Sequence, residues 1–145
     1  MFSVRRDDGL LLTDDRDAID LDRVHRWLST DAWWALDRTA EQTRGIVAAS
    51  RPYGVYSDTG QVAFTRVVTD GLTFAYLADV FVDRAARGRG IGTWMTQQVC
   101  AHLDDQHIRT MVLATTDAHD VYARAGFSDV PPRRWMWRTQ VTPPA

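Results

Sequence analysis

The stretch Arg87-Gly88-Arg89-Gly90-Ile91-Gly92 constrains this chain more than any other, because of what flanks it. An apolar run, Phe74-Ala75-Tyr76-Leu77-Ala78, precedes it and continues through Asp79 to Val80-Phe81-Val82. Behind it Ile91, Met95, Val99 and Leu103 recur every fourth residue, the spacing of one helix face. A strand, a glycine-rich turn and a helix in that order make an anion-binding device. Glycine lets the backbone come close to a ligand. The helix start adds unpaired N–H groups and a partial positive charge. The pattern points to a phosphate-bearing ligand.

Three loop types compete for it. A Walker loop needs a lysine after its last glycine, and the chain contains no lysine. A dinucleotide fingerprint needs G-x-G-x-x-G after the first strand of a doubly wound unit. Here the glycines at 88, 90 and 92 are spaced G-x-G-x-G, and half the chain comes first. The third pattern, Arg/Gln-x-x-Gly-x-Gly/Ala, is matched by Arg87, Gly90 and Gly92. Following a strand that ends Asp79-Val80-Phe81-Val82-Asp83, it resembles the acetyl-CoA loop of the GNAT superfamily of N-acetyltransferases. A second segment is similar too: a strand at Val112-Leu113-Ala114-Thr115, then a short helix in which Ala118, Tyr122, Gly126 and Phe127 fill the places of the second GNAT motif. The family often has Asn where Thr115 stands. The likeness covers residues 53 to 139.

At 145 residues the chain is expected to form one domain. Its net charge of −2 gives no pull towards nucleic acid. All seventeen basic residues are arginine, and Glu41 is the one exception among nineteen otherwise aspartate acids. A single cysteine, Cys100, rules out an internal disulfide and suits a reducing cytoplasm, with packing as its default role. Neither a signal peptide nor a membrane-length apolar run is legible. The expectation is a soluble, cytoplasmic domain without membrane or nucleic-acid partners.

The remaining pattern supplies the architecture. Phe2-Ser3-Val4 and Leu10-Leu11-Leu12 read as a hairpin turning at Asp7-Asp8-Gly9. Leu21, Val24, His25 and Leu28 mark one face of a helix, with Asp17 or Asp20 as cap. Trp33 and Trp34 fall in a connector. Thr39-Ala40-Glu41-Gln42 resembles a capping box opening a second helix, which Pro52 is expected to close. Residues 54–57 and 62–69 form a hairpin, and Asp70-Gly71 signals a two-residue turn into an antiparallel strand over 72–82. A helix over 90–106 then crosses to a parallel strand over 109–115. Residues 127–130 and 134–139 read as two closing strands. Helices before strands, then a mixed and mostly antiparallel sheet flanked by helices, fit an α+β class with three layers, α/β/α.

The resemblance implies an acyltransferase that moves acetyl from acetyl-CoA to a primary amine by direct attack in a ternary complex, without a metal. It implies that the loop from Arg87 through Gly88, Arg89, Gly90, Ile91 and Gly92 to Thr93 clamps the pyrophosphate through backbone N–H groups. The pantetheine arm would lie against Val80, Phe81 and Val82 as the two parallel strands splay. Tyr122 takes the place of the family's general acid at the thiolate; its bland alternative is a core tyrosine. Asp79 is offered as proton acceptor or amine ligand, because a carboxylate in an apolar strand needs a partner or a raised pKa. It could equally pair with Arg66, while Tyr76 holds the place of a base glutamate found in some members. His119 titrates in a useful range, yet capping and solvent contact explain it as well. Trp33, Trp34 and Tyr56 are candidate acceptor-pocket walls or core. Arg84, Arg89 and Arg124 are candidate phosphate contacts or a solvated rim. The acidic string Asp14, Asp15, Asp17, Asp20 and Asp22 either draws a cationic amine or is merely solvated. His25 reads as a packed histidine. Homodimerisation is a family habit with no residue to specify it. The rival from another class is a module that binds acyl-CoA as a sensor without turnover.

Overall fold

In a computed structural model, which describes residues 1–139, six strands form one sheet in the order β1-β2-β3-β4-β5-β6. These are β1 (Ser3–Arg5), β2 (Leu11–Thr13), β3 (Arg51–Ser57), β4 (Gly60–Thr69), β5 (Phe74–Val82) and β6 (Thr110–Val112). Every neighbouring pair is antiparallel except β5 and β6, which run parallel as the crossover helix requires. Four helices cover the sheet: α1 (Leu21–Asp31), α2 (Ala40–Ala48), α3 (Ile91–Asp105) and α4 (His119–Ala123). The α+β class and the layering expected from the sequence are those observed.

Each helix begins where its side chains allow. Asp20 caps α1 by accepting from the Arg23 N–H at 3.0 Å. Thr39 and Gln42 form the reciprocal capping box of α2, at 3.1 and 2.8 Å. One face of the sheet is packed by Val24, Leu28 and Val47 of α1 and α2 against Phe64 and Phe81. The other face carries α3, whose Ile91, Met95, Val99 and Leu103 are all buried against Tyr53, Val55, Val67 and Leu77. Each such aliphatic side chain contributes about 1.5–3 kcal/mol on burial. That stripe fixes the start of α3, and with it the glycine loop, beside the end of β5.

Two departures from regularity create the site. Phe64 pairs with Phe81 and Arg66 with Ala78, so Thr65 alone stands opposite both Asp79 and Val80. At this bulge Asp79 takes a left-handed φ of 53°, a conformation aspartate tolerates better than most residues. The Thr65 hydroxyl donates to the Ala78 carbonyl at 3.0 Å beside it. The extra residue switches the alternation: Ala75 and Leu77 face α3 before the bulge, Val80 and Val82 after it. The second departure is that β5 and β6 pair only from Phe74–Thr110 to Tyr76–Val112. Past Tyr76 the parallel strands part.

Some boundaries differ from the sequence reading. The second helix stops at Ala48, and Pro52 lies within β3 opposite Arg66, so the helix ends before the proline acts. Residues 70–73 make a four-residue loop rather than a two-residue turn. Asp70 closes it, accepting from the backbone N–H groups of Leu72 and Thr73 at 2.9 and 2.8 Å. Among the described residues, 127–139 contain no strand. The Pro131-Pro132 pair withholds two backbone donors from any ladder there, although Trp135 returns to within 6.3 Å of the Phe74 ring.

Candidate active site

The glycine loop leaves β5 through Asp83 and a short 3₁₀ turn over Arg84–Ala86. Gly88 and Gly90 both have left-handed φ, 81° and 68°, which L side chains rarely adopt. Space is not what demands glycine there, since a Cβ at either would meet nothing within 4 Å. Gly92 differs: it is helical, and an added Cβ would rest in ordinary contact 3.5 Å from Val82 Cγ2. Gly90 is the N-cap of the 15-residue helix α3 and supplies no side-chain cap. The first amides of α3 therefore open onto free space, with the helix dipole behind them. Such a cradle offers main-chain donors to an anion.

The arginines around the loop are tethered. Arg87 donates from Nε to the Val82 carbonyl at 2.9 Å and lies over the Phe81 ring at 5.3 Å. Arg84 is paired with Asp31, its Nε 2.6 Å from the carboxylate. Arg89 reaches Asp8 of the β1–β2 turn at 3.0 Å, and Arg6 donates both to Asp8 and to the Arg89 carbonyl. Arg124 follows α4, its carbonyl accepting from Gln97 at 3.0 Å.

Where β5 and β6 part, a cleft of about 620 Å³ opens. Its walls come from Tyr76 to Val80 of β5, from the segment Leu113–Ala118, from Tyr122 of α4, and from Trp33, Trp34 and Arg38 of the α1–α2 connector. Arg66 reaches in from β4. The Asp79 carboxylate lies at its base, 2% exposed, accepting from Trp34 Nε1 at 2.9 Å, Arg38 Nη1 at 2.9 Å and Arg66 Nε at 2.6 Å. Burial favours its neutral form, but the hydrogen bond and charge of Arg66, the indole N–H and the Arg38 charge outweigh this and hold its carboxyl below the usual carboxylate range. The pairing with Arg66, one of the two readings of Asp79, is present. Arg38 is not legible as its second partner: it sits 41 residues away in the tryptophan-rich connector, and only the charge demand of Asp79 hints at one.

Tyr122 faces the same cleft from the other side. Burial, and then the nearby charge of Asp117, push its phenol up from the usual tyrosine value. It is therefore a protonated donor at neutral pH. Its ring packs edge-on to Phe127 at 6.2 Å, and the turn that ends α4 at Gly126 has φ 94°. Thr115, in the place of the family's asparagine, accepts from the Ala118 N–H at 3.0 Å, just before α4 begins.

The structure does not gather every candidate here. Tyr56 lies on β3, its ring stacked over Gly54 with the hydroxyl buried and unpartnered among the described residues. It does not line this cleft. His119 is exposed and lines a neighbouring cavity between β6, α4 and residues 127–130, rather than the cleft itself. His25 is packed, its Nδ1 3.0 Å from the Thr43 hydroxyl. Of the acidic string, Asp14 accepts from the Phe2 N–H, while Asp15 and Asp20 cap helical turns. Cys100 is buried, and burial pushes its thiol up to about 11. Among the described residues no group of three or more His, Cys, Asp or Glu side chains is placed to hold a metal. No helix there is long and apolar enough to cross a membrane.

A model of the acetyltransferase (GNAT) family matches residues 16–127. A Gibberella zeae protein assigned as an acetyltransferase is 32% identical over 139 residues, covering 82% of this chain and 78% of that one. The crystal structure of a Xanthomonas campestris protein assigned to the GNAT acetyltransferases is 40% identical, with a TM-score of 0.84 over 91% of this chain and 94% of that one. A Clostridium acetobutylicum protein, assigned as an acetyltransferase and solved with acetyl-CoA, shares the fold at 17% identity, with a TM-score of 0.63 over 90% of this chain and 95% of that one. The family match spans both the glycine loop and the Tyr122 helix, so the uncapped helix start and the parted strands are those of a member of the GNAT family of acetyltransferases.

Proposed function

We propose that the protein is an N-acetyltransferase that moves acetyl from acetyl-CoA to the primary amine of a small molecule within a ternary complex. The observation that carries this reading is the continuity of loop and cleft. An uncapped α3 start lies at the end of β5, and the cleft beside β5 is lined by both Asp79 and Tyr122. Bound acetyl-CoA supplies the activated thioester; the chain supplies position, charge and a proton. Backbone amides from Arg87 to Thr93 take the pyrophosphate, and Val80, Phe81 and Val82 run beside the pantetheine arm. Trp33 and Trp34 wall the acceptor side.

In the reaction the amine nitrogen bonds to the acetyl carbon and the carbon–sulfur bond breaks. The Tyr122 hydroxyl gives its proton to the departing sulfur, the ammonium nitrogen releases its proton to solvent, and solvent returns one to the tyrosinate, so that amide and free thiol are formed and the phenol is restored. Asp79 is assigned to holding Arg38 and Arg66, because its oxygens already accept three N–H bonds and its basicity is depressed. Alignment of the reactants supplies the larger share of the rate, of order ~7 kcal/mol. The buried lone Cys100 suits a cytoplasmic setting. The test is thermal stabilisation by CoA, followed by free-thiol release and product mass across a panel of amines. Stabilisation without thiol release on any amine favours the sensor reading. Absence of stabilisation overturns both.

A further inference from the structure

The charge of the cleft is unevenly placed. Two guanidiniums, Arg38 and Arg66, have side chains only 19% and 14% exposed, and between them one carboxylate, Asp79, balances one charge. Each guanidinium carries five N–H donors. Among the described residues Arg38 spends only Nη1 and Arg66 only Nε, both on Asp79. One positive charge and most of the donors are therefore left over in a cleft also walled by indoles and aliphatic side chains. Guanidinium donors left over in so enclosed a place are completed by an anion or by water. Across β5, in the loop between β6 and α4, Asp117 lines the same cleft and lies near enough to Tyr122 to raise its phenol. Arg66 stands on β4 and Asp117 beyond β6, so the strand order puts β5 between them. Surplus positive charge thus stands on one side and negative charge on the other, where the amine must meet the thioester.

Resting on the acetyltransfer reading, we infer that the acceptor is a small amine carrying its own carboxylate, of the α-amino acid class. The carboxylate docks on Arg38 and Arg66, and the ammonium is drawn towards Asp117 and Tyr122 before it loses its proton. An amine without an anion leaves the arginine surplus uncompensated, and a polyamine meets it with like charge. The cleft also has to hold the end of the pantetheine arm within its 620 Å³, which restricts the acceptor to a compact molecule. The Trp33 and Trp34 rings, edge-to-face at 5.7 Å, favour an apolar or aromatic side chain.

The test compares matched pairs: L-phenylalanine with phenethylamine, L-leucine with 3-methylbutylamine, and phosphoethanolamine as the phosphate-bearing arm. Binding is read by titration into the protein with and without CoA, and turnover by thiol release. The expected result is at least tenfold tighter binding of each amino acid than of its decarboxylated partner, with kcat/KM following wherever turnover occurs. Arg38→Gln should remove that preference by raising KM for the amino acid more than it lowers kcat, and Arg38→Lys should restore part of it. Stabilisation by acetyl-CoA should persist in both variants and reports that the fold survives. Equal or weaker binding of the amino acids, a preference for phosphoethanolamine, or an Arg38→Gln effect equal on both members of a pair overturns the inference. Failure of acetyl-CoA to bind would instead strike the acetyltransfer reading, and the carboxylate preference in the CoA-free protein would still decide the anion site.

Discussion

The glycine loop and the acceptor cleft are built in opposite ways. The loop is six consecutive residues, solvent-facing apart from the buried Ile91, and offers main-chain amides shaped by two left-handed glycines. The cleft is assembled from side chains at positions 34, 38, 66, 79 and 122, far apart in the chain and brought together by the bulge in β5 and the parting of β5 from β6. On the proposed function, the loop binds what is common to every acyl-CoA and the cleft decides what receives the acyl group. The contrast then teaches that donor recognition would rest on local backbone geometry, acceptor recognition and catalysis on tertiary electrostatics.

Substitutions should separate the two regions. The largest effect is expected from Asp79→Asn, which strands two guanidiniums in a half-buried cleft and should cost about 3–5 kcal/mol in urea unfolding. Because the Asp79 carboxyl is depressed in the folded state, its stabilisation is complete above the unfolded value near ~3.9 and is lost as pH falls through the folded value. The wild-type and Asp79→Asn unfolding midpoints should therefore converge in acid. A gap that stays constant with pH would mean that charge is not what Asp79 contributes.

Next comes Tyr122→Phe, which removes the donor hydroxyl and keeps the ring against Phe127. Its kcat should fall by about 10²-fold while thermal stabilisation by acetyl-CoA stays unchanged. Full turnover in this variant would return Tyr122 to a packing role. Smaller again, Gly90→Ala places a side chain at φ 68° and should cost about 1–2 kcal/mol, appearing chiefly as weaker CoA binding. Gly92→Ala, with its Cβ in ordinary contact, should bind CoA normally. If both alanines behave alike, backbone handedness is not what makes the loop. The smallest effect is expected from Asp8→Asn. Asp8 holds Arg89 at 3.0 Å, and releasing that arginine towards the phosphates should tighten CoA a few-fold at low salt and vanish at high salt.

The legibility of the sequence follows the same division. The every-fourth spacing of Ile91, Met95, Val99 and Leu103 announced α3 because a helix buries one stripe, and all four residues are buried. The capping box at Thr39 and Gln42 was readable because both partners lie within one turn. Tyr56 illustrates the limit. An aromatic residue in a predicted strand looked suitable for a pocket wall, but strand order sets β3 two places from β5 and its ring folds onto Gly54. The turn after β4 departs from the two-residue expectation because the Asp70 side chain closes a wider loop than a dipeptide rule describes. Residues 127–139 have apolar content suggestive of strands, but adjacent prolines deny the ladder its donors.

By itself the amino-acid order determined the class of fold, the helix starts and the glycine-rich turn. Each of those depends on residues within about one or two turns of one another, where spacing and backbone preference suffice. Only the tertiary structure decided that Asp79 is neutralised by Arg66 and Arg38, that Trp34 joins them, and that His119 and Tyr56 stand elsewhere. Charges separated by tens of residues meet only after the sheet is ordered and the bulge has turned one carboxylate towards the connector. The strength of their interaction comes from burial, which belongs to the folded molecule and to no segment of it.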